Sequence, residues 1–411
     1  MRAYTRAMAS FQRISAAEAA EEGLTCSFCG KEPTGDSALI ASDEAVICDE
    51  CVSTCVDILS RDDGAEKSDA SDAAEPDVEE AAKPTFVRVL SEDVVARLIS
   101  IEDLIEPMEV ALRRFSSGQV VQPLRTVLPI AAVEAAFALM PVYGEDPARL
   151  GAKLVGVFNS NAERDLPTHL ATVLLFDPET GAPLAILGGR YITEIRTAAV
   201  SAVSANLLAS DYASVLAIIG TGVQARSHLR AMEQAFELSD VRVWSPTREH
   251  QEIFIEEMQS STSSRLVPAA SAEEAVRNAD LVVLATSSSE PVVESAWIKA
   301  GAHIMSVGAC RPNQREMDPA LVKRARLYVD SREAALAESG DIVQGIQERL
   351  FTSSHIVGEL GELLDKRVDR RLSDGDVTIF KSLGLAVEDV VAADLAYRRA
   401  MGKNAGQEVE L

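Results

Sequence analysis

Residues 215–229 read VLAIIGTGVQARSHL, and this stretch decides the fold. An unbroken apolar run comes first, which is the composition of a strand buried on both faces. Gly220-x-Gly222-x-x-Ala225 follows it. The first glycine permits a tight turn, the second lets the backbone approach a pyrophosphate, and the small Ala225 lets a helix pack close to a sheet. The helix that begins there offers its free N–H groups to phosphate oxygens. A dinucleotide site is one reading, and a tight turn in an unrelated α/β domain is the other.

The neighbouring sequence extends the pattern. VRVW (241–244), RLVPA (265–269), LVVLAT (281–286), HIMSVG (303–308) and RLYVD (326–330) are further apolar runs. Segments with helical spacing at 224–236, 247–258 and 271–278 lie between the first four strands. Strand and helix in alternation predict a parallel sheet covered on both faces. Upstream, FVRVL, TVLPI, FALMPVY, AKLVGVF and TVLLFD read as strands, with turn signals at Pro178 and Gly181. Ser91 is placed to cap a helix whose first turn holds Glu92 and Asp93. Residues 191–209 read as a helix with small residues on its packing face, and the last 70 residues or so as mostly helical. The second strand of the alternation ends at Trp244-Ser245-Pro246-Thr247-Arg248. An NAD site ordinarily places Asp or Glu there to hold the ribose 2′-hydroxyl. Ser245, Thr247 and Arg248 suit a 2′-phosphate instead, which favours NADP(H) over NAD(H). The plainer alternative leaves Arg248 as a solvated residue of the next helix.

Composition bounds what else the chain does. Of 411 residues, 47% are hydrophobic and the formal net charge is -25. That charge argues against nucleic acid and against docking on an anionic membrane surface. No apolar run is long enough to span a bilayer and the N-terminus has no signal-peptide core, so cytoplasmic residence is expected. Residues 61–84 are acidic and nearly free of large apolar side chains, and read as a flexible linker after an N-terminal tail at 1–23.

Five of the six cysteines lie between positions 26 and 55. Cys26-x2-Cys29 and Cys48-x2-Cys51 are separated by 18 residues. Each pair turns two thiolates toward one tetrahedral ion, so the four together predict a closed, structural Zn2+ site. A cluster of free thiols is the alternative. Cys55, one helical turn after Cys51, reads as a buried apolar cysteine. The stretch CSFCGKEPTGDSALIASDEAVICDECVSTCVDIL (26–59) resembles the zinc-binding domain of the ClpX unfoldase. No GxxxxGK[ST] loop accompanies it, so the resemblance implies a docking or dimerising module at 24–60 and a possible protein partner, not unfoldase activity.

Three cations precede the alternating region. Arg125 follows QPL, Lys153 begins KLVGVF, and Arg196 lies in EIRTAAVSA. An unpaired charge in apolar surroundings is costly. A shared anion, naturally a substrate carboxylate, would account for them, as would separate structural salt bridges. His228 and His303 have no metal-ligand spacing and read as structural.

Residues 86–400 resemble the ornithine cyclodeaminase/μ-crystallin family. The resemblance is carried by QPLRT, GAKLVGVFNSN, LPTHLATVLLFDPETGAPLAIL, ITEIRTAAVSA, GTGVQA, ADLVVLATSS, VGACRPNQREMD and IFKSLGLAVEDVVAA. It implies a homodimer of α/β class, with a Rossmann domain (206–335) inserted in an α+β substrate and dimerisation domain (85–205 and 336–411). It also implies that Arg125, Lys153 and Arg196 bind a substrate carboxylate, with Lys153 acting on the substrate nitrogen. Thr168, His169, Thr197, Gly220, Gly222, Val223, Gln224, Thr286, Ser287, Val307, Gly308 and Ser382 would line the cofactor crevice. Cyclodeaminases of the family carry an acid–base Asp, and a Lys four residues later, where this chain has Cys310 and Gln314. The expectation is therefore an NAD(P)H-dependent reductase of cyclic imino acids, a ketimine reductase, or a related amino-acid dehydrogenase. Ornithine cyclodeamination and a non-catalytic NADPH-binding protein with a zinc docking module are the alternatives.

Overall fold

Alanine and serine recur through residues 189–208, which leaves a helix slim enough to be packed on every side. In the computed structural model this helix, Gly189–Leu208, is buried along most of its length and touches both sheets of the larger unit. The structure describes residues 12–15, 18–19, 23–32, 38–41, 46–54, 85–145 and 147–411. Cys55 and the 61–84 linker lie outside them. Two compact units divide the chain, Met1–Ala81 and Ala82–Leu411.

In the smaller unit, Gln12–Ser15, Ala38–Ala41 and Val46–Cys48 form an antiparallel sheet. Leu39 pairs with Cys48 across it, and Ala19, Cys26, Leu39 and Cys48 make a small core.

The larger unit has two eight-stranded sheets. The first is mostly antiparallel, and its centre is formed by Ala135–Glu145, Ala148–Phe158, His169–Phe176 and Pro183–Gly188. Phe86–Leu90 joins the Pro183–Gly188 strand in parallel. Ser91 accepts a hydrogen bond from the Val94 amide and caps the helix Glu92–Leu98.

The second sheet is parallel throughout. Its order is Arg265–Pro268, Asp240–Trp244, Val215–Ile219, Leu281–Leu284, His303–Ser306, Thr378–Lys381, Arg326–Val329, Ile356–Glu359. Chain direction across the sheet reverses beside Val215–Ile219, which creates a crevice at the carboxyl ends of that strand and Leu281–Leu284, where ligands of such sheets bind.

The sheet continues past residue 335, the sequence-based boundary, to take in Ile356–Glu359 and Thr378–Lys381. These strands have four residues each, and the second ends in a lysine that is wholly buried. The final segment adds a further strand, Gln407–Glu410, on the first sheet after the helix Ala386–Lys403. It is therefore less helical than its composition predicts.

Two serines tie the central helix through histidine, one to the helix Val223–Ala235 and one to the strand His303–Ser306. Ser201 Oγ lies 2.8 Å from His228 Nε2, and Ser204 Oγ lies 3.1 Å from His303 Nε2. His303 Nδ1 also meets Thr378 Oγ1 at 2.9 Å. Burial keeps both rings neutral, with His228 lowered to about 4 and His303 to about 3. The unfolded chain, with imidazoles near 6.5, binds more protons than the folded one below that pH, so these residues stabilise the fold above about pH 6.5 and the contribution is lost on acidification. Conformational stability should fall between pH 6.5 and 4.5. In His303→Asn the fall should be smaller by about 2 kcal/mol. Urea titrations at the two pH values check this, and equal losses in both proteins would contradict it.

Candidate functional site

The side chain of Lys153 points from the strand Ala148–Phe158 into a region closed to solvent, where it is 3% exposed. Its Nζ lies 2.5 Å from Asp389 Oδ2, on the first turn of the helix Ala386–Lys403. Arg196, from the central helix, donates through Nε to the other oxygen of Asp389 at 3.1 Å and through Nη1 to Glu388 Oε2 at 2.7 Å. Arg125 donates through Nη2 to the carbonyls of Leu383 and Gly384 at 2.7 and 3.1 Å, and its Nε is 3.0 Å from Glu338 Oε2. The three cations therefore do converge, and Lys153 and Arg196 share an anion. That anion is the protein's own Asp389, and Arg125 has Glu338.

Sequence reasoning missed these acidic partners. Glu388 and Asp389 sit in the first turn of a helix, where carboxylates are ordinary. Their one sequence signal is that the two stand together inside an otherwise apolar run, LAVEDVVAA. Asp330 was missed as well. Its Oδ2 accepts from the amides of Leu383 and Gly384 at 2.6 Å each and from Ser382 Oγ at 3.3 Å. It thereby fixes the turn Ser382–Leu385, over which Arg196 lies. Gly384 has φ +81°, and a β-carbon there would stand 2.6 Å from Arg196 Nη1, so only glycine leaves room for the guanidinium.

The electrostatics follow from burial. Desolvation draws the Lys153 ammonium down to about 8, with Arg196 and Arg125 repelling it and Asp389 opposing the fall. Desolvation pushes the Glu388 carboxyl up to about 7, against Arg196 and together with Asp330 and Asp389. Burial would raise Asp389 too, but Arg196 and Lys153 outweigh it and hold that carboxyl below its usual range. His169, at the start of a neighbouring strand, is lowered to about 4 by desolvation and by Lys153.

The expected cofactor residues fall mostly at strand ends of the parallel sheet. Gly220, with φ +107°, follows Val215–Ile219, and a β-carbon on it would be 2.4 Å from the Ala285 carbonyl. Gly222 begins the helix Val223–Ala235 with no side chain capping it, and a β-carbon there would meet open space. Val223 is exposed, and Gln224 Oε1 is buried without a hydrogen-bond partner among the described residues. The turn thus leaves room and free donors for a pyrophosphate, so its residues fit a dinucleotide. Thr286 and Ser287, Val307 and Gly308, and Ser382 follow the three strands on one side of it.

A buried carboxylate spaces these ends. Glu316 accepts from the amide of Thr286 at 2.7 Å, from the amides of Gly308 and Ala309 at 3.0 Å each, and from Ser306 Oγ at 3.1 Å. Ser245 is buried after Asp240–Trp244 and accepts from the Thr247 amide at 3.4 Å, while the side chain of Arg248 is 87% exposed and, among the described residues, pairs only with Glu252. Thr168 precedes and His169 begins a strand of the other sheet, and Thr197 is buried in the central helix with its hydroxyl on the Thr193 carbonyl. Cys310 donates weakly to the carbonyl of Val307 at 3.4 Å, and desolvation raises its thiol, so it is a neutral group.

In the smaller unit the sulfurs of Cys26, Cys29, Cys48 and Cys51 all lie within 4.8 Å of one another. Cys26 and Cys51 are 3.9 Å apart and Cys29 and Cys48 are 3.8 Å apart. A tetrahedron with metal–sulfur bonds of about 2.3 Å has edges of about 3.8 Å, so the four residues fit Zn2+. The Cys48 amide donates to Cys26 Sγ at 3.3 Å and the Cys51 amide to Cys48 Sγ at 3.4 Å, bonds that favour thiolates.

Comparison with known proteins agrees with both units. Residues 87–404 match the family model of the ornithine cyclodeaminase/mu-crystallin family, and residues 24–61 match that of the ClpX C4-type zinc finger. The ketimine reductase mu-crystallin of Mus musculus is 43% identical over 317 residues, covering 76% of this chain and 96% of that protein. The Thermococcus litoralis Δ1-pyrroline-2-carboxylate reductase, solved with NADH and L-proline, is 37% identical with a TM-score of 0.77, covering 79% of this chain and all of that one. An archaeal alanine dehydrogenase dimer with bound NAD is 30% identical with a TM-score of 0.75, over 79% of this chain and 99% of that one.

The full-length protein should carry about one zinc per chain by elemental analysis, and Cys26→Ser/Cys48→Ser should carry almost none. A native protein free of zinc after purification without chelator would contradict the assignment.

Proposed function

This chain belongs to the ornithine cyclodeaminase/mu-crystallin family, and on that premise we propose that it is an NAD(P)H-dependent oxidoreductase that reduces the C=N bond of cyclic imino acids. The single observation that carries the reading is the convergence of Arg125, Lys153 and Arg196, with Arg125 near a neutral Cys310. Three cations suit a substrate carboxylate, and their planar or flexible donors set its orientation. Cyclodeamination calls for an acid–base carboxylate at the position of Cys310, and a thiol raised by burial does not replace it. The nature of the relatives points the same way, since one is named a ketimine reductase and another a Δ1-pyrroline-2-carboxylate reductase.

In this reading Arg125 and Arg196 hold the substrate carboxylate, and Lys153 polarises the adjoining imine nitrogen or gives it a proton from Nζ. An ammonium near 8 is poised to do so at neutral pH. His169, kept neutral, adds no competing positive charge. A bound NAD(P)H would supply the hydride to the imine carbon. Gly220, Gly222, Val223 and Gln224 would hold its pyrophosphate, with Thr286, Ser287, Val307, Gly308 and Ser382 along the crevice and Thr168, His169 and Thr197 toward the reacting end. The absence of a carboxylate at Ser245-Pro246-Thr247-Arg248, with the Arg248 side chain exposed and paired only on its own helix face with Glu252 among the described residues, supports a preference for NADP(H). We assign the dinucleotide domain to residues 206–335 together with the strands Ile356–Glu359 and Thr378–Lys381, and the substrate and dimerisation domain to 85–205 and the rest of 336–411.

A homodimer is supported by one face of the first sheet. Leu128, Phe137, Gly156 and Leu170 lie side by side across four strands, and the three large side chains are exposed. An apolar row of this kind marks an association surface. The zinc module is a docking or dimerising element for a protein partner, and among the described residues no helix is long and apolar enough to cross a membrane. We take cytoplasmic residence as the working assignment.

The test is oxidation of the reduced cofactor, followed at 340 nm, with Δ1-pyrroline-2-carboxylate, Δ1-piperideine-2-carboxylate and simple keto acids plus ammonia. The expected result is turnover of a cyclic imine, with kcat/KM higher for NADPH than for NADH. Ammonia release from ornithine without such turnover would favour the cyclodeaminase reading. Tight NADPH binding without any turnover would favour a binding protein.

A further inference from the structure

Charge balance around the three cations sets a condition on anion binding. Lys153, Arg196 and Arg125 bring three positive charges, and Asp389, Glu388 and Glu338 bring three negative ones when ionised. Asp330 adds a fourth carboxylate, held by hydroxyl and amide donors and by no cation within salt-bridge distance among the described residues. A substrate carboxylate entering this site meets no surplus positive charge, and the interior screens poorly.

The geometry singles out which group can relieve this. Glu388 is wholly buried. Its Oε2 accepts from Arg196 Nη1 at 2.7 Å and from the Leu385 amide at 3.2 Å. Its Oε1 has no hydrogen-bond partner among the described residues. The other unmatched carboxylate oxygens of the site, Asp389 Oδ2 and Glu338 Oε2, face Lys153 and Arg125. The charged groups that act on Glu388 are Arg196 from the central helix, Asp330 from the end of Arg326–Val329, and Asp389 from its own helix. Lys153, from the first sheet, pairs with Asp389, His169 is on the neighbouring strand of that sheet, and Arg125 donates to the Gly384 carbonyl and pairs with Glu338. Burial and two neighbouring carboxylates already bring the Glu388 carboxyl to about 7.

We propose that Glu388 is the proton-binding partner of the substrate carboxylate: each anion that enters the site is accompanied by one proton from solvent, which bonds to Glu388 Oε1. The carboxylate becomes a neutral acid, one negative charge leaves the cluster, and Arg196 is released from one of its two anionic partners to face the ligand. Glu388 is thus a positioning residue acting through Arg196. The proposal rests on the assignment of Arg125, Lys153 and Arg196 to a substrate carboxylate.

Pyrrole-2-carboxylate, a ring carboxylate whose nitrogen does not titrate, separates the two ideas. It is titrated calorimetrically into the full-length, NADP-loaded protein at pH 7.5 in phosphate and in Tris, whose ionisation heats differ. The native protein should take up most of one proton per ligand, and its Kd should rise about tenfold from pH 7.5 to 8.5. In Glu388→Gln the uptake should fall to the minor share contributed by Lys153, and Kd should change little between pH 6.5 and 7.5. Absence of uptake in the native protein overturns the proposal by itself, whatever the variant does. Equal uptake in the native protein and in a folded, NADP-binding Glu388→Gln also overturns it. If pyrrole-2-carboxylate fails to bind at every pH while NADP binds normally, the carboxylate-site reading falls and this proposal with it.

Discussion

The carboxylate of Asp389 joins three elements that are distant in sequence. A strand brings Lys153 to one oxygen, the central helix brings Arg196 to the other, and the helix Ala386–Lys403 carries Asp389 itself. Thr193 Oγ1 approaches the same carboxylate at 3.4 Å from one turn earlier in the central helix. Removing one partner of such a buried set leaves an uncompensated charge in the interior, at a cost of about 3–5 kcal/mol. The register of both helices against the first sheet is therefore tied to the same atoms that would meet substrate. Stability and recognition are not separable here.

A second buried acid does for the crevice what Asp389 does for the cations. Glu316 gathers the backbone after two neighbouring strands, and Asp341 in turn accepts from the amides of Glu316 and Met317 at 2.9 Å each. Lys381 is wholly buried 3.5 Å from Asp341 and donates to Ser306 at 3.1 Å. With Asp330 on the Ser382–Leu385 turn, the pattern is consistent: buried carboxylates accept loop amides and so hold loop backbones that have no ladder of their own. Part of the chain's acidity is thus structural, although a net charge of -25 by itself speaks only of solubility.

Much of this was legible in the sequence where the signal is local. Four cysteines in two CxxC pairs define a tetrahedron whatever surrounds them. The apolar run before Gly220 and the small residue at Ala225 specify a strand, a turn and a close-packed helix. Arg196 stood out because a cation among alanines needs an explanation. What could not be read was the identity of that explanation. Glu388 and Asp389 look like ordinary first-turn acids, and Asp330 looks like a turn residue after a strand. Only the tertiary fold turns them inward. The strands Ile356–Glu359 and Thr378–Lys381 escaped for a related reason, since a terminal Lys381 reads as solvent-facing until its partner Asp341 is known.

The central claim is that Arg125, Lys153 and Arg196 form a receptor for a substrate carboxylate. A crystal structure of the full-length protein with NADP+ and L-proline tests it most directly. The prediction is a proline carboxylate within about 3 Å of donors from Arg125 and from Lys153 or Arg196, with the amino nitrogen on the side of Lys153 Nζ. A proline carboxylate bound elsewhere, with the ion pairs of Asp389 and Glu338 unchanged, would contradict the account.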